Sequence, residues 1–367
     1  MAGRRKVLAA GCLFLLILAA YLPVFRAGFV WDDDSWVWAN PHVRGERPIL
    51  RVWHTDEAPG QNYPLTSTFF WAQARLWGFG PFGYHLLNVL LHSADAALLW
   101  LVLRRLKLRG AWLAAAFFGL HPINVESVAW VTEAKNVLSA FFLLLSLLAF
   151  LRWAEGGRRG WYPASLALYL LALSAKTFVA VFPFALFVLR WYRGERLGRR
   201  TVAAVSPFLL LSLIAGAYTW RLEVVHVGAR GEAWALSFAE RLLVAGRAFW
   251  FYLAQIVFPA RLSFVYPRWE ISTGAASAWL FPGLAAALFA LLWLLRRARR
   301  GPLAAAALYA VLLAPSLGFV SFFAQIYSFV ADHYAYLASA APLAAAPWLV
   351  RGLPARFARP AGAALLA

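Results

Sequence analysis

Apolar runs of roughly twenty residues recur along this chain, separated by short basic blocks. The blocks are Arg4-Arg5-Lys6, Arg104-Arg105-Leu106-Lys107, Arg158-Arg159, Arg193 to Arg200 and Arg296 to Arg300. Away from water, a run of that length satisfies its backbone polar groups only as a helix. Basic blocks between such runs mark cytoplasmic helix ends, each charge contributing about 1 kcal/mol near an anionic leaflet. The alternation dictates an all-α, polytopic transmembrane bundle. A mean hydropathy of +0.65, with 63% hydrophobic and 14% charged residues, excludes a soluble fold around one core. The net charge of +19 would suggest nucleic acid in a soluble chain; here topology signals account for it.

The arginines then order the spans. With the N-terminus cytoplasmic, residues 7–25 form an uncleaved anchor, 26–83 a long external loop and 84–103 the return helix. The next run starts after Gly110 and meets His121-Pro122 after about eleven residues. At about 1.5 Å each these fall short of roughly 30 Å of hydrocarbon. The second external loop, residues 121–136, is therefore expected to dip inward and line a wet cavity. Residues 161–192 read as two short helices around a recessed turn at Ser174 to Thr177. Residues 201–220, 276–295, 302–322 and 334–350 read as further crossings. A crossing at 238–257 would export the Arg296 to Arg300 block, and Glu240, Arg241 and Arg247 interrupt that run. It is expected to be an interfacial helix. The total is about ten spans in one domain, 1–367, with residues 351–359 cytoplasmic and a fresh apolar start at Ala361 to Ala367. The single Cys12 leaves no internal disulfide.

Ionisable residues outside the basic blocks are few, and inside a membrane such residues carry functional information. Asp32, Asp33 and Asp34 follow the first apolar segment between Trp31 and Trp36. They can act as a base for an alcohol or as ligands for a phosphate-bound metal, or be solvated loop acids. His121, Glu126, Glu133 and Lys135 crowd the second loop as a polar cavity lining, although an internal Glu133–Lys135 pair fits equally well. His121 and Glu126 do not have a zinc-ligand spacing. His85, Asn88 and His92 share one helix face, directed into the bundle. Asp95, about 16 Å below that helix's start, is expected to be neutral or hydrogen-bonded to a neighbouring helix. Lys176 tips the recessed turn and could meet a lipid phosphate or snorkel to the headgroups. Asp332-His333 brings a third acid and histidine to a helix entry.

FVWDDD, YPLTSTFFWAQARLWGFGPFGYHLLNVLLH, HPINVESVAWVTEAKNVLSAFFLLLSLLAF, the SAK turn and SFVADHYAYLAS, in that order, resemble the membrane portion of bacterial relatives of the TMTC proteins. Those are transmembrane and tetratricopeptide-repeat glycosyltransferases of the GT-C class. The resemblance implies a GT-C bundle moving a sugar, mannose in the animal proteins, from a polyprenyl phosphate to a hydroxyl acceptor such as a protein serine or threonine, with inversion. It also implies an inner-membrane setting, with the site facing the exterior. Asp32 and Asp33 match the family's loop-one acids, with Asp32 as the base, and Glu126 matches the second-loop acid. Lys135 and Lys176 would hold the donor phosphate. Asp34, Tyr63 of the YPLTS motif, His85, Asn88, His121, Glu133, Asp332 and His333 complete the expected substrate-binding set. No cofactor is legible, and a divalent metal at Asp32, Asp33 and Glu126 is left open. A C-terminal repeat domain is expected to be absent. Another GT-C lipid-glycan transferase or ligase, a transporter, or a non-catalytic anchor for a repeat domain are the competing readings.

Overall fold

The computed structural model describes residues 2–53 and 61–351. The expected cytoplasmic segment beyond Arg351 and the apolar start at 361–367 lie outside the described residues. Twelve helices of ten residues or more make up the described chain, which contains no strand. They are α1 (Ala2–Ala20), α2 (Pro64–Trp77), α3 (Pro81–Arg105), α4 (Ala111–Leu120), α5 (Ala134–Ala154) and α6 (Trp161–Ala175). They continue as α7 (Phe182–Tyr192), α8 (Arg199–Leu222), α9 (Phe238–Val257), α10 (Leu280–Leu295), α11 (Arg300–Leu313) and α12 (Tyr336–Arg351).

Four helical stretches are long and apolar enough to cross a membrane: Pro81–Arg105, Val131–Ala154, Arg199–Val227 and Ala276–Leu295. Val7–Ala20, Ala111–Leu120, Trp161–Ala175 and Thr177–Tyr192 are shorter apolar helices. α10 buries no residue in the protein, and its apolar surface suits a hydrocarbon solvent. α5 and α6 pack side by side. Ser146 Oγ donates to Ser165 O at 2.7 Å and Ser165 Oγ to Ser146 O at 2.8 Å, a reciprocal bond that fixes their register where water is scarce. Where α9 crosses α10, a Cβ on Gly246 would sit 2.5 Å from Pro282 N, so only glycine allows that approach.

Several boundaries differ from the sequence reading. The crossing expected over 302–322 is helical only to Leu313; Pro315 and Gly318, with φ of +89°, turn the chain into an irregular segment that leads to α12. The long loop 26–83 holds a helix, α2, started by Pro64 at its first turn. α9 matches its expected bounds, opened by a capping box between Ser237 and Glu240. Both its ends are tied to the 318–332 segment. Arg241 donates to Gly318 O at 2.7 Å and Ser321 Oγ at 3.1 Å, and Gln255 reaches Tyr266, which donates to Asp332. Asp95, as expected, bonds a neighbouring helix. Tyr336 Oη donates to Asp95 Oδ2 at 2.8 Å and lies 2.7 Å from His92 Nδ1, so α3 holds the start of α12.

Candidate active site

Three segments distant in sequence meet at the ends of α3, α5, α6 and α12 that lie away from the arginine blocks. The first junction is Asp33. Its Oδ1 accepts from Thr132 N at 2.7 Å and Thr132 Oγ1 at 2.6 Å, and its Oδ2 accepts from Val30 N at 2.8 Å. Asp33 is fully buried, and its carboxylate is spent on fastening loop one to loop two. Burial pushes its pKa up, against the hydrogen bonds from Thr132 and Val30. The turn also sets Trp31 at φ +53°, a left-handed conformation that costs an aromatic residue roughly 1–2 kcal/mol.

Asp32 differs from its neighbour. Its Oδ1 is buried and has no hydrogen-bond partner. Burial raises its pKa, opposed by the charge of Lys135 and the nearby Thr132 hydroxyl and reinforced by Glu133 and Asp33. A half-buried carboxylate with a raised pKa and a vacant lone pair suits proton abstraction. Asp34 points away: it is exposed, and its Oδ1 accepts from Ser35 N within its own turn.

The second junction is Glu133, 1% exposed and held between two ammonium groups. Lys135 Nζ lies 2.9 Å from Oε1 and Lys176 Nζ 3.1 Å from Oε2. Asn136 links the same atoms, its Nδ2 donating to Glu133 and its Oδ1 accepting from Lys176 at 2.6 Å. Lys135 also sits 5.3 Å from the Trp36 ring and 5.8 Å from that of Trp130, an aromatic cage that suits a cation. Burial pushes the Lys176 ammonium down to about 8, against the pull of Glu133. One carboxylate facing two lysines leaves a formal positive charge.

The third junction joins loop two to the segment before α12. Glu126 Oε2 accepts from His333 N at 2.8 Å, and its Oε1 lies 3.0 Å from His333 Nδ1. On its other edge, His333 Nε2 is 3.8 Å from Glu133 Oε1. His333 thus lies between the two acids, joined to Glu126 through its backbone N–H. Asp332, 4% exposed, accepts from Tyr266 Oη at 2.8 Å, and burial raises its pKa to about 7.

The remaining expected residues serve the backbone. Asn88 Nδ2 lies 3.3 to 3.4 Å from the carbonyls of Val128, Trp130 and Val131 and so ties α3 to the second loop. His85 Nε2 donates to Ala27 O at 3.2 Å and so fixes the exit of loop one. His121 is removed from the cluster: Nε2 donates to Ile256 O at 2.8 Å and Nδ1 accepts from Ile123 N, which makes it a neutral cap. Burial lowers its pKa accordingly. Tyr63 is buried against Trp36, with rings stacked at 6.2 Å, and backs the cage. Sequence reasoning missed Thr132, Asn136, Trp36, Trp130 and Tyr266. The VTEAKN stretch after Trp130 was the available signal for Thr132, Asn136 and Trp130, and the aspartate run for Trp36; Tyr266 carried none.

For a divalent metal, Asp33 is saturated by three donors and Glu126 is engaged by His333. Among the described residues no three His, Cys, Asp or Glu side chains converge as a ligand set. Asp32, Asp33 and Glu126 therefore do not fit a divalent metal site.

The family model described as dolichyl-phosphate-mannose-protein mannosyltransferase matches residues 58–221, the stretch that carries Glu126, Glu133, Lys135 and Lys176. Among curated proteins, protein O-mannosyl-transferase Tmtc1 of Drosophila melanogaster is 33% identical over 178 residues, 46% of this chain and 21% of that protein. Tmtc2 of the same organism is 36% identical over 180 residues, 44% of this chain and 19% of the relative. Human TMTC4 is 32% identical over 162 residues, 37% and 22% respectively. The chain thus matches about a fifth of the length of these relatives. No solved structure matches it. Across its matched stretch the chain is similar to the PMT and TMTC protein O-mannosyltransferases.

Proposed function

We propose that this protein is an inverting GT-C glycosyltransferase that moves a sugar from a polyprenyl-phosphate-linked donor to a hydroxyl acceptor on the non-cytoplasmic membrane face. The similar proteins are named protein O-mannosyltransferases, which supports mannose as the sugar and a protein as the acceptor. One juxtaposition carries the reading: a carboxylate oxygen of Asp32 without a partner, beside two lysines that share the single carboxylate of Glu133.

A sugar phosphodiester carries one negative charge, which balances the surplus cation of the Lys135–Glu133–Lys176 group. As the glycosidic bond to phosphate lengthens, charge grows on the leaving oxygen, and the two ammonium groups stabilise it more than they stabilise the ground state. Asp32 accepts the acceptor's proton as its oxygen attacks the anomeric carbon from the opposite side. A single displacement inverts that carbon and needs no covalent enzyme intermediate. Glu126 positions His333 against Glu133, and Asp33 keeps loop one, with Asp32 on it, against loop two.

In this reading the chain crosses the membrane about ten times and α9 lies in the outer interface. The ties from both its ends to the 318–332 segment support that placement. Sugar transfer in proteoliposomes tests the proposal. Wild type is expected to turn over a polyprenyl-phosphate sugar, with Asp32→Asn and Glu126→Gln strongly impaired; undiminished turnover in both variants refutes it.

A further inference from the structure

The helices line a half-open cavity of about 1770 Å³ to which Glu133, Lys135 and Lys176 contribute nothing. It exceeds the roughly 300–1,000 Å³ typical of pockets for drug-sized ligands. Its walls are aliphatic, with Leu99, Leu143, Leu253 and Leu337 among them. It runs along α4, from Lys107 and Arg109 before that helix to His121 at its end, about 15 Å for ten residues. Polar groups on the walls are already engaged: Tyr309 Oη donates to Phe249 O, Trp112 Nε1 to Ala9 O and His121 Nε2 to Ile256 O. Leu120 and Val257, 41% and 75% exposed, mark where it opens sideways. A ligand for such a space is largely hydrocarbon.

The mouth is chemically distinct. The nearby Arg105, Arg190 and Arg193 are ion-paired, Arg105 and Arg193 with Glu155, Arg190 and Arg193 with Glu195. Lys107 and Arg109 are exposed and have no carboxylate within ion-pair distance among the described residues. Lys107 also holds φ of +59°, where the helix-ending turn, with Leu108 N bonded to Leu103 O, ordinarily takes glycine. A lysine kept in a conformation that penalises its Cβ points to use of its charge.

We propose that this cavity binds an anionic glycerophospholipid from the leaflet on the Lys107 side. Its acyl chains lie along α4 and its phosphate between Lys107 and Arg109, the arginine supplying paired donors and the lysine a point charge. The site is independent of the sugar-transfer reading, because the Lys135–Lys176 group sits at the opposite helix ends.

Native mass spectrometry of detergent-purified protein, titrated with phosphatidylglycerol, phosphatidylcholine and polyprenyl phosphate, tests it. Phosphatidylglycerol is expected to bind at least tenfold more tightly than phosphatidylcholine. The paired variant Lys107→Gln and Arg109→Gln should lose about twenty-fivefold of that affinity, two charges at about fivefold each. A control pair, Arg158→Gln and Arg159→Gln, should leave it unchanged. Equal binding of the two phospholipids, an equal loss in the control pair, or one-for-one displacement by polyprenyl phosphate would each overturn the assignment, the last by giving the cavity to a donor lipid.

Discussion

The adjacent acids Asp32 and Asp33 should separate cleanly into a residue for rate and a residue for stability. Replacing Thr132 by valine keeps the volume of the side chain but deletes the 2.6 Å bond to Asp33 Oδ1. Both residues are fully buried, so no water replaces the lost donor. A hydrogen bond to a charged group contributes roughly 1.5–3 kcal/mol. At about 2.1 cal/mol/K of unfolding entropy per residue over 367 residues, that loss lowers Tm by about 2–4 °C. Asp32→Asn removes a carboxylate oxygen that has no hydrogen-bond partner, so Tm should hold or rise, while turnover falls about 10²–10⁴-fold as a general base is lost. Thermal unfolding in detergent and transfer in proteoliposomes, run on the same preparations, measure both quantities. A Thr132→Val protein with unchanged Tm, or an Asp32→Asn protein that melts early yet keeps its turnover, would refute the division of labour.

Further outcomes follow from the same geometry. Since burial raises the Asp32 pKa, the acid limb of the rate profile should fall at a higher pH than for an ordinary carboxylate, and the weak residual rate of Asp32→Asn should lack that limb. Asp332, raised to about 7, favours the folded state most when protonated. That contribution is complete below about pH 4 and is lost as pH rises toward 7, about 4 kcal/mol at most, so melting temperatures of Asp332→Asn should vary less between pH 5 and pH 8 than those of wild type. Lys176→Met leaves Glu133 paired with Lys135 and should lower kcat/KM about 10–150-fold through the donor phosphate contact, read by varying donor concentration.

Helix positions were readable because hydropathy and arginine spacing are local properties. α9 matched its expected bounds from the apolar run alone, whereas the helix expected over 302–322 stopped at Leu313 because Pro315 and Gly318 outweigh an apolar run. The meeting of Asp33, the second loop and His333 also followed from placing these segments at one set of helix ends, although Asp34 turns away. What each side chain does there was less legible. Three consecutive aspartates look alike in sequence, yet the turn at Trp31 sends Asp33 into Thr132, leaves Asp32 with a vacant oxygen and turns Asp34 outward. Asn88 and His85, placed by helical spacing on an inward face, hold backbone carbonyls instead. The cage of Trp36 and Trp130 around Lys135 joins residues about a hundred positions apart, beyond the reach of any local pattern.

Transfer of labelled mannose by purified wild-type protein in proteoliposomes, comparing a polyprenyl-phosphate donor with a water-soluble nucleotide sugar, addresses donor chemistry most directly. Product from the lipid phosphate alone, with the anomeric configuration opposite to the donor's, is the predicted result. Equal use of the nucleotide sugar, retention of configuration, or no transfer from the lipid donor would contradict it.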